Sequence, residues 1–143
     1  MKDKIISYLM KRMRIEVAVA GIISNGDKVL LTKRALPLVD GGKWCLPGGH
    51  VNKWERAEEC VKREVKEEVN LNCDGVRLLF VHEEFVKRLN LHAVVFVYSL
   101  DVSGVIEGNI EVSDFKWFSR KDVEELDMAF THRDILERYW REK

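Results

Sequence analysis

Apolar residues recur along this chain with two periods, and the switches between them divide it into elements. RIEVAVAGIIS, residues 14–24, is rich in β-branched residues and reads as a strand; DKVLLTKR, residues 27–34, reads as a second. Asn25-Gly26 lies between them, a strong hairpin signal because both positions of the expected turn need positive φ. ALPLVDGGK is a loop, and WCLPGG returns the chain through a short strand into a tight turn. From Arg56 to Val69 the period is helical. At 100° per residue Ala57, Val61, Val65 and Val69 fall on one arc, with Glu64, Glu67 and Glu68 on the arc beside it. Asn70 follows, a residue that tolerates the left-handed conformation in which helices end. VRLLFVHEEFV and LHAVVFVYSLDV read as strands joined by KRLN, and the second, apolar on both faces, is expected between two layers. SDFKWFS is a last short strand. Ser119 with Asp122, and Thr131 with Asp134, look like N-caps with an acid in the first turn, opening two terminal helices.

The pattern predicts one domain over residues 1–143, α+β in class, with helices on at least two sides of a sheet and no repeat or linker. Residues 1–12 form an N-terminal extension that reads equally as a short amphipathic helix or a lead-in strand. The segment is too short and too interrupted by lysine for a signal peptide or a membrane span, so no membrane partner is expected.

Composition narrows the function classes. Lys plus Arg number 24 and Asp plus Glu 24, a balance that argues against a general nucleic-acid binder, which needs a basic excess to drive counterion release. A small phosphorylated ligand needs only a local cluster and remains open. Cys45, Cys60 and Cys73 show no CxxC spacing, which argues against a zinc site or a disulfide framework and suits a reducing cytoplasm. Cys45 and Cys60 are expected as small core residues. His50, His82 and His92 form no ligand spacing.

The concentration of carboxylates in the central helix admits two explanations. Residues at i, i+3 and i+4 are neighbours, so Glu64 meets Glu67 and Glu68, and like charges there repel by a few tenths of a kcal/mol per pair when solvated. Lys62, Arg63 and Lys66 can offset this, leaving an ordinary wet face. Alternatively, an oxygen-rich donor set selects a hard cation such as Mg²⁺ or Mn²⁺, which keeps several waters and meets substrate phosphates. LPGG, immediately upstream, lets a bulky ligand approach the main chain.

From Gly49 to Leu71 the chain resembles the Nudix box, G-x5-E-x7-R-E-U-x-E-E-x-G-U with U a bulky aliphatic residue. Gly49, Glu55, Arg63-Glu64, Val65, Glu67-Glu68 and Leu71 occupy its specified positions, and Trp44 and LPGG are usual upstream. Asn70 replaces the second glycine, a mild departure in a left-handed cap. The resemblance implies an α/β/α sandwich with a mixed sheet between helices. It also implies hydrolysis of the pyrophosphate bond of a nucleoside diphosphate linked to another group. It further implies Glu64 and Glu68 as ligands of Mg²⁺ or Mn²⁺, Glu67 as a third or shared ligand, and the Gly48 carbonyl completing the set. Glu55 and Arg63 would brace the loop and helix. Members of the family differ in the base that activates water, some using a box glutamate and others a carboxylate on a later loop. Glu64, Glu67 and Glu111 are therefore the catalytic candidates, with Glu107 and Asp114 weaker than Glu111.

Substrate choice lies outside the box. Arg34, Lys33 and Lys43 lie near the loop entering the site and are candidates for phosphate contact, and Trp44 either stacks on a base or packs in the core. LDMAFTHRDILERYW resembles a segment, AFDH, of members acting on ADP-ribose and related sugar nucleotides; Thr131 departs from it, and the resemblance makes His132 a candidate neighbour of the substrate, although a place on a helix surface is the preferred expectation. ADP-ribose or another nucleotide sugar and a nucleoside triphosphate, oxidised or not, are equal expectations, and a homodimer is left open. A non-catalytic nucleotide-sensing module, or an isomerase on the same scaffold, is the alternative.

Overall fold

The computed structural model describes residues 1–12 and 14–143. In chain order its elements are α1 (Lys2–Arg12), β1 (Glu16–Ile22), β2 (Ser24–Asn25), β3 (Lys28–Arg34), β4 (Trp44–Cys45), β5 (Gly48–His50) and α2 (Ala57–Val69). Then come β6 (Asn72–Val86), a 3₁₀ turn (Lys87–Leu89), β7 (Leu91–Ser103), β8 (Val112–Ser119), α3 (Arg120–Glu124) and α4 (His132–Glu142). The open N-terminal segment is thus a helix, with Ile5, Ile6, Leu9 and Met10 exposed.

One sheet has the order β5-β1-β7-β6, with β1 and β7 parallel and the other pairs antiparallel. In the second, β3 pairs with β2, β4 and β8. β7 is apolar on both faces because it is buried on both. Ala93, Val95 and Val97 join the cluster capped by Ile135 and Leu136 of α4, while Tyr98 and Leu100 join the one under α2. On α2 the predicted arc is the packed one: Val61, Val65 and Val69 are fully buried together with Cys60, and Ala57 lies at its edge. Each such side chain removed from water stabilises the fold by roughly 1.5–3 kcal/mol. The mixed sheet therefore has helices on both sides. All three thiols are free.

Three local features differ from the sequence reading. The first hairpin turns on Gly26-Asp27, not Asn25-Gly26: Asn25 pairs with Lys28, and Gly26 alone takes a positive φ, 63°, which is the type II′ pattern. β6 starts at Asn72, earlier than its apolar run, because β7 offers partners as far as Ser103. Ser119 caps α3 as expected, accepting from Asp122 N. Thr131, in contrast, gives α4 no side-chain cap, because its hydroxyl is engaged elsewhere.

Candidate active site

α2 and β5 meet at the glycines. Gly48 and Gly49 pair with Ala20 and Val19 of β1, and a side chain at either place has no room. A Cβ on Gly48 would lie 2.0 Å from the Val19 carbonyl oxygen, and one on Gly49 would lie 2.6 Å from the Glu64 carboxylate. The absence of side chains lets α2 press its acidic face against the strand.

Arg63 organises the loop between them. Its guanidinium donates to both oxygens of Glu55, at 2.7 and 3.0 Å, to Glu64 Oε1 at 2.9 Å and to the His50 carbonyl at 3.3 Å. Glu55 in turn accepts from Asn52 N at 3.0 Å, and the Arg63 hydrogen bonds hold its carboxyl down at about 2. Glu67, on the outer side of the helix, meets Arg63 at 3.3 Å.

Glu68 differs from its neighbours. It is 8% exposed, its carboxyl is hydrogen-bonded to that of Glu64, and it accepts a long hydrogen bond from Gly48 N at 3.4 Å. Burial, and then the charge of Glu64 one turn away, raise its carboxyl well above the ordinary range, with Glu111 adding to the repulsion. Glu111 reaches it from the loop before β8. Asn109 holds that loop on α2, donating to the Glu67 carbonyl at 2.7 Å while accepting from Glu111 N at 2.9 Å.

Glu64, Glu68, Glu111, Gly48 and Arg34 all line one cleft of about 510 Å³. Lys43, Trp44, Glu67, Glu55 and Arg63 do not line it, nor do Glu107 and Asp114. Lys43 faces Asp40 and Asp127, and Trp44 packs edge-on against Phe118 in the core, the second of its two expected places. The donors are oxygens, and Glu68 is a buried carboxylate with a repelling neighbour. Such a set fits a hard divalent cation and no soft one. Among the described residues no three His, Cys, Asp or Glu side chains form a ready-made cage. An ion that retains waters and meets substrate phosphates needs only one or two carboxylates, so the fit holds for Mg²⁺.

The cleft extends to His132, whose place beside the substrate is the less favoured expectation from the sequence, and to Glu84 and Phe130, which the sequence does not single out. His132 is 8% exposed and not on a helix surface; its Nδ1 accepts from Leu46 N at 3.0 Å, and burial lowers its pKa to about 4. Glu84, 4% exposed, accepts at Oε2 from Thr131 N at 3.1 Å and Thr131 Oγ1 at 2.6 Å. That hydroxyl in turn lies 2.8 Å from His82 Nε2. Phe130 takes a left-handed φ of 52°, fixed by a 2.9 Å hydrogen bond from its N–H to Asp40. Asp40 is itself clamped by Arg88 at 2.7 and 2.8 Å. A signal was available: Phe80, Glu84 and Val86 are the buried positions at even spacing on β6, which puts Glu84 in an inward-facing series.

Comparison with known proteins points one way. A NUDIX domain family model matches residues 14–139. The ADP-ribose pyrophosphatase of Methanocaldococcus jannaschii is 35% identical over 128 residues, 89% of this chain and 74% of that protein. The nucleoside triphosphatase NudI of an Enterobacter species is 26% identical over 142 residues, 87% of this chain and 100% of that protein. The crystal structure of a MutT NUDIX hydrolase from Burkholderia pseudomallei matches with a TM-score of 0.79 at 28% identity, covering 87% of this chain and 97% of that one.

Proposed function

Since the chain belongs to the NUDIX family of hydrolases, we propose that it cleaves the diphosphate bridge of an ADP-ribose-like nucleotide in a Mg²⁺-dependent reaction. The observation that carries this reading is the buried Glu68 beside Glu64, facing Glu111 across an open cleft. The similarity to an ADP-ribose pyrophosphatase over 89% of the chain favours the nucleotide-sugar class. The similarity to a nucleoside triphosphatase keeps triphosphates as the second substrate class. Free thiols suit a reducing compartment such as the cytoplasm.

In this reading Glu64, Glu68 and the Gly48 carbonyl are the groups that would hold the cation. When bound, a divalent ion neutralises phosphate charge and lowers the pKa of water in its shell. Glu67, held by Arg63 at 3.3 Å, would have to release it to serve as a further ligand. Arg63 and Glu55 keep the β5–α2 loop in register with the helix, so that the carboxylates do not have to be ordered during the reaction. Glu111, carried on a separate loop, accepts the proton of the attacking water. Arg34, at the cleft wall, meets the negative charge of the substrate.

The test is hydrolysis of ADP-ribose and of nucleoside triphosphates, followed by ³¹P NMR with Mg²⁺ and then with excess chelator. AMP and ribose 5-phosphate formed only in the presence of the ion are expected. Turnover that persists under chelation, or its absence on every nucleotide tried, removes the reading.

A further inference from the structure

One end of the cleft holds polar atoms that the proposed chemistry does not use. Among the described residues Glu84 Oε1 has no hydrogen-bond partner, although Oε2 of the same carboxylate has two. His132 is in the same condition: Leu46 N–H donates to Nδ1, so the ring proton sits on Nε2, which has no partner. Both residues are more than nine-tenths buried, and both line the cleft. Neither atom is sealed from solvent, since no shut-in side-chain nitrogen or oxygen among the described residues lacks a partner, so the two present to the cleft a donor and an acceptor that water or a ligand can meet.

The wall beside them is aromatic. Phe130 holds its ring 5.5 Å from that of His132 and 4.9 Å from the Arg34 guanidinium. A bulky residue with left-handed φ is strained, and such strain persists where surrounding bonds enforce it. Here the Asp40 carboxylate does so. Strand register gives the span: Glu84, Ala93 and Glu16 lie in one row across β6, β7 and β1, and β5 flanks β1. Three strand spacings put Glu84 roughly 14 Å from the glycine strand. A diphosphate seated at Glu64 and Glu68 can reach across with its nucleoside.

We propose that Glu84 and His132 determine base specificity, reading the edge of an adenine laid against the Phe130–Arg34 wall. The amino group donates to Glu84 Oε1, and a ring nitrogen accepts from His132 Nε2. Thr131 and His82 act behind the pair: His82 Nε2–H donates to the Thr131 hydroxyl, which donates to Glu84 Oε2, so only Oε1 is left to face the ligand. The low pKa of His132 keeps Nδ1 an acceptor and Nε2 a donor at neutral pH. This inference rests on the cleft being a nucleotide site, but not on hydrolysis.

The experiment is isothermal titration of the full chain with ADP and with IDP, in Mg²⁺ and again in EDTA. Hypoxanthine presents an acceptor where adenine has its amino group and a donor where adenine has its N1 acceptor. The parent is expected to bind ADP about tenfold or more tightly than IDP. Glu84→Gln keeps an oxygen for Thr131 and turns an amide donor toward the ligand, so the ratio should fall to about one or invert. Should that variant fail to fold, His132→Asn serves: its amide oxygen can still accept from Leu46 N–H, Nε2–H is gone, and ADP affinity should fall about fivefold or more. A ratio of one in the parent, or one that neither variant moves, overturns the pair's role. Binding of neither nucleotide removes that role and the nucleotide reading together. A ratio that behaves as expected with no hydrolysis in Mg²⁺ removes the catalytic reading alone.

Discussion

Two adjacent glycines that look interchangeable in the sequence are expected to fail differently. At Gly49 an added Cβ would lie 2.6 Å from Glu64 Cδ and Oε1 and 2.8 Å from Oε2, where ordinary contact begins at 3.4 Å. The obstacle is the far end of a side chain, so the carboxylate gives way by about 0.8 Å while β5 stays paired with β1. Misplacing a catalytic group by about 1 Å costs on the order of 10²-fold in rate, equivalent to about 2.7 kcal/mol of transition-state stabilisation. Gly49→Ala is therefore predicted to lose about a hundredfold in kcat with a melting temperature within about 2 °C of the parent. At Gly48 the Cβ would meet the Val19 carbonyl oxygen at 2.0 Å, and a paired backbone cannot step aside. Overpacking of that kind costs about 1–3 kcal/mol or more, and at this chain length each kcal/mol lowers Tm by roughly 2–4 °C. Steady-state kinetics beside differential scanning fluorimetry on both variants decides the matter. If Gly49→Ala turns over within twofold of the parent, or melts as early as Gly48→Ala, then Glu64 is not held where the reaction needs it.

Three further outcomes are expected. Glu68→Gln relieves a buried charge repelled by Glu64, so it should raise Tm in EDTA while cutting kcat at least a hundredfold. A lower Tm in EDTA, or a stabilisation by Mg²⁺ as large as the parent's, would contradict this. Asn109→Ala removes one of the tethers of the Glu111 loop to α2, leaving Glu107 N–H on the Val69 carbonyl, and should lower kcat about tenfold at unchanged Tm; an unaltered kcat would show that the loop needs no such tether. Asp40 has its carboxyl lowered to about 2, chiefly by its hydrogen bond to Arg88, so its stabilising contribution is complete above about pH 4 and fades as pH falls toward 2. Arg88→Met should bring that carboxyl back toward its ordinary 3.8 in a ¹³C NMR titration and move acid unfolding to higher pH; coincident acid limbs would refute it.

What could be read from the sequence was what repeats at short range. Glu64 and Glu68 sit one helical turn apart, and the valines of the same helix fix which way it faces, so the acidic face and its glycine neighbour were legible together. Asn70 could be assigned as the cap because few residues accept φ of 61°. The first hairpin was found but its turn was displaced by one residue, since Asn-Gly and Gly-Asp overlap in the same three letters. The other end of the cleft was hidden because its parts are far apart in the chain. Asp40, Glu84, Arg88 and Thr131 come together only when the 35–43 loop, β6, the 3₁₀ turn and the start of α4 converge. Thr131 followed by Asp134 carries a capping signature, yet the hydroxyl bonds a buried carboxylate in preference to the helix. Lys43 lies close to the site in sequence and points away from it, toward Asp40 and Asp127. Proximity along the chain is a weak guide to a cleft assembled across a sheet.

The parallel pairing of β1 with β7 sets an order of assembly. Glu16 to Ile22 find their partners at Ala93 to Ser99, so the strand that supports the glycines stays open on one side until the distant partner arrives. Closing so long a loop delays the reward of burial, and α2, at 13 residues, is marginal as an isolated helix. A ribosome releasing this chain exposes the half that carries the glycines and the acidic helix well before the strand that anchors it. That half is consequently a poor candidate for an autonomous fragment, and slow maturation of activity should follow any change that weakens Val95 or Val97 at the seam.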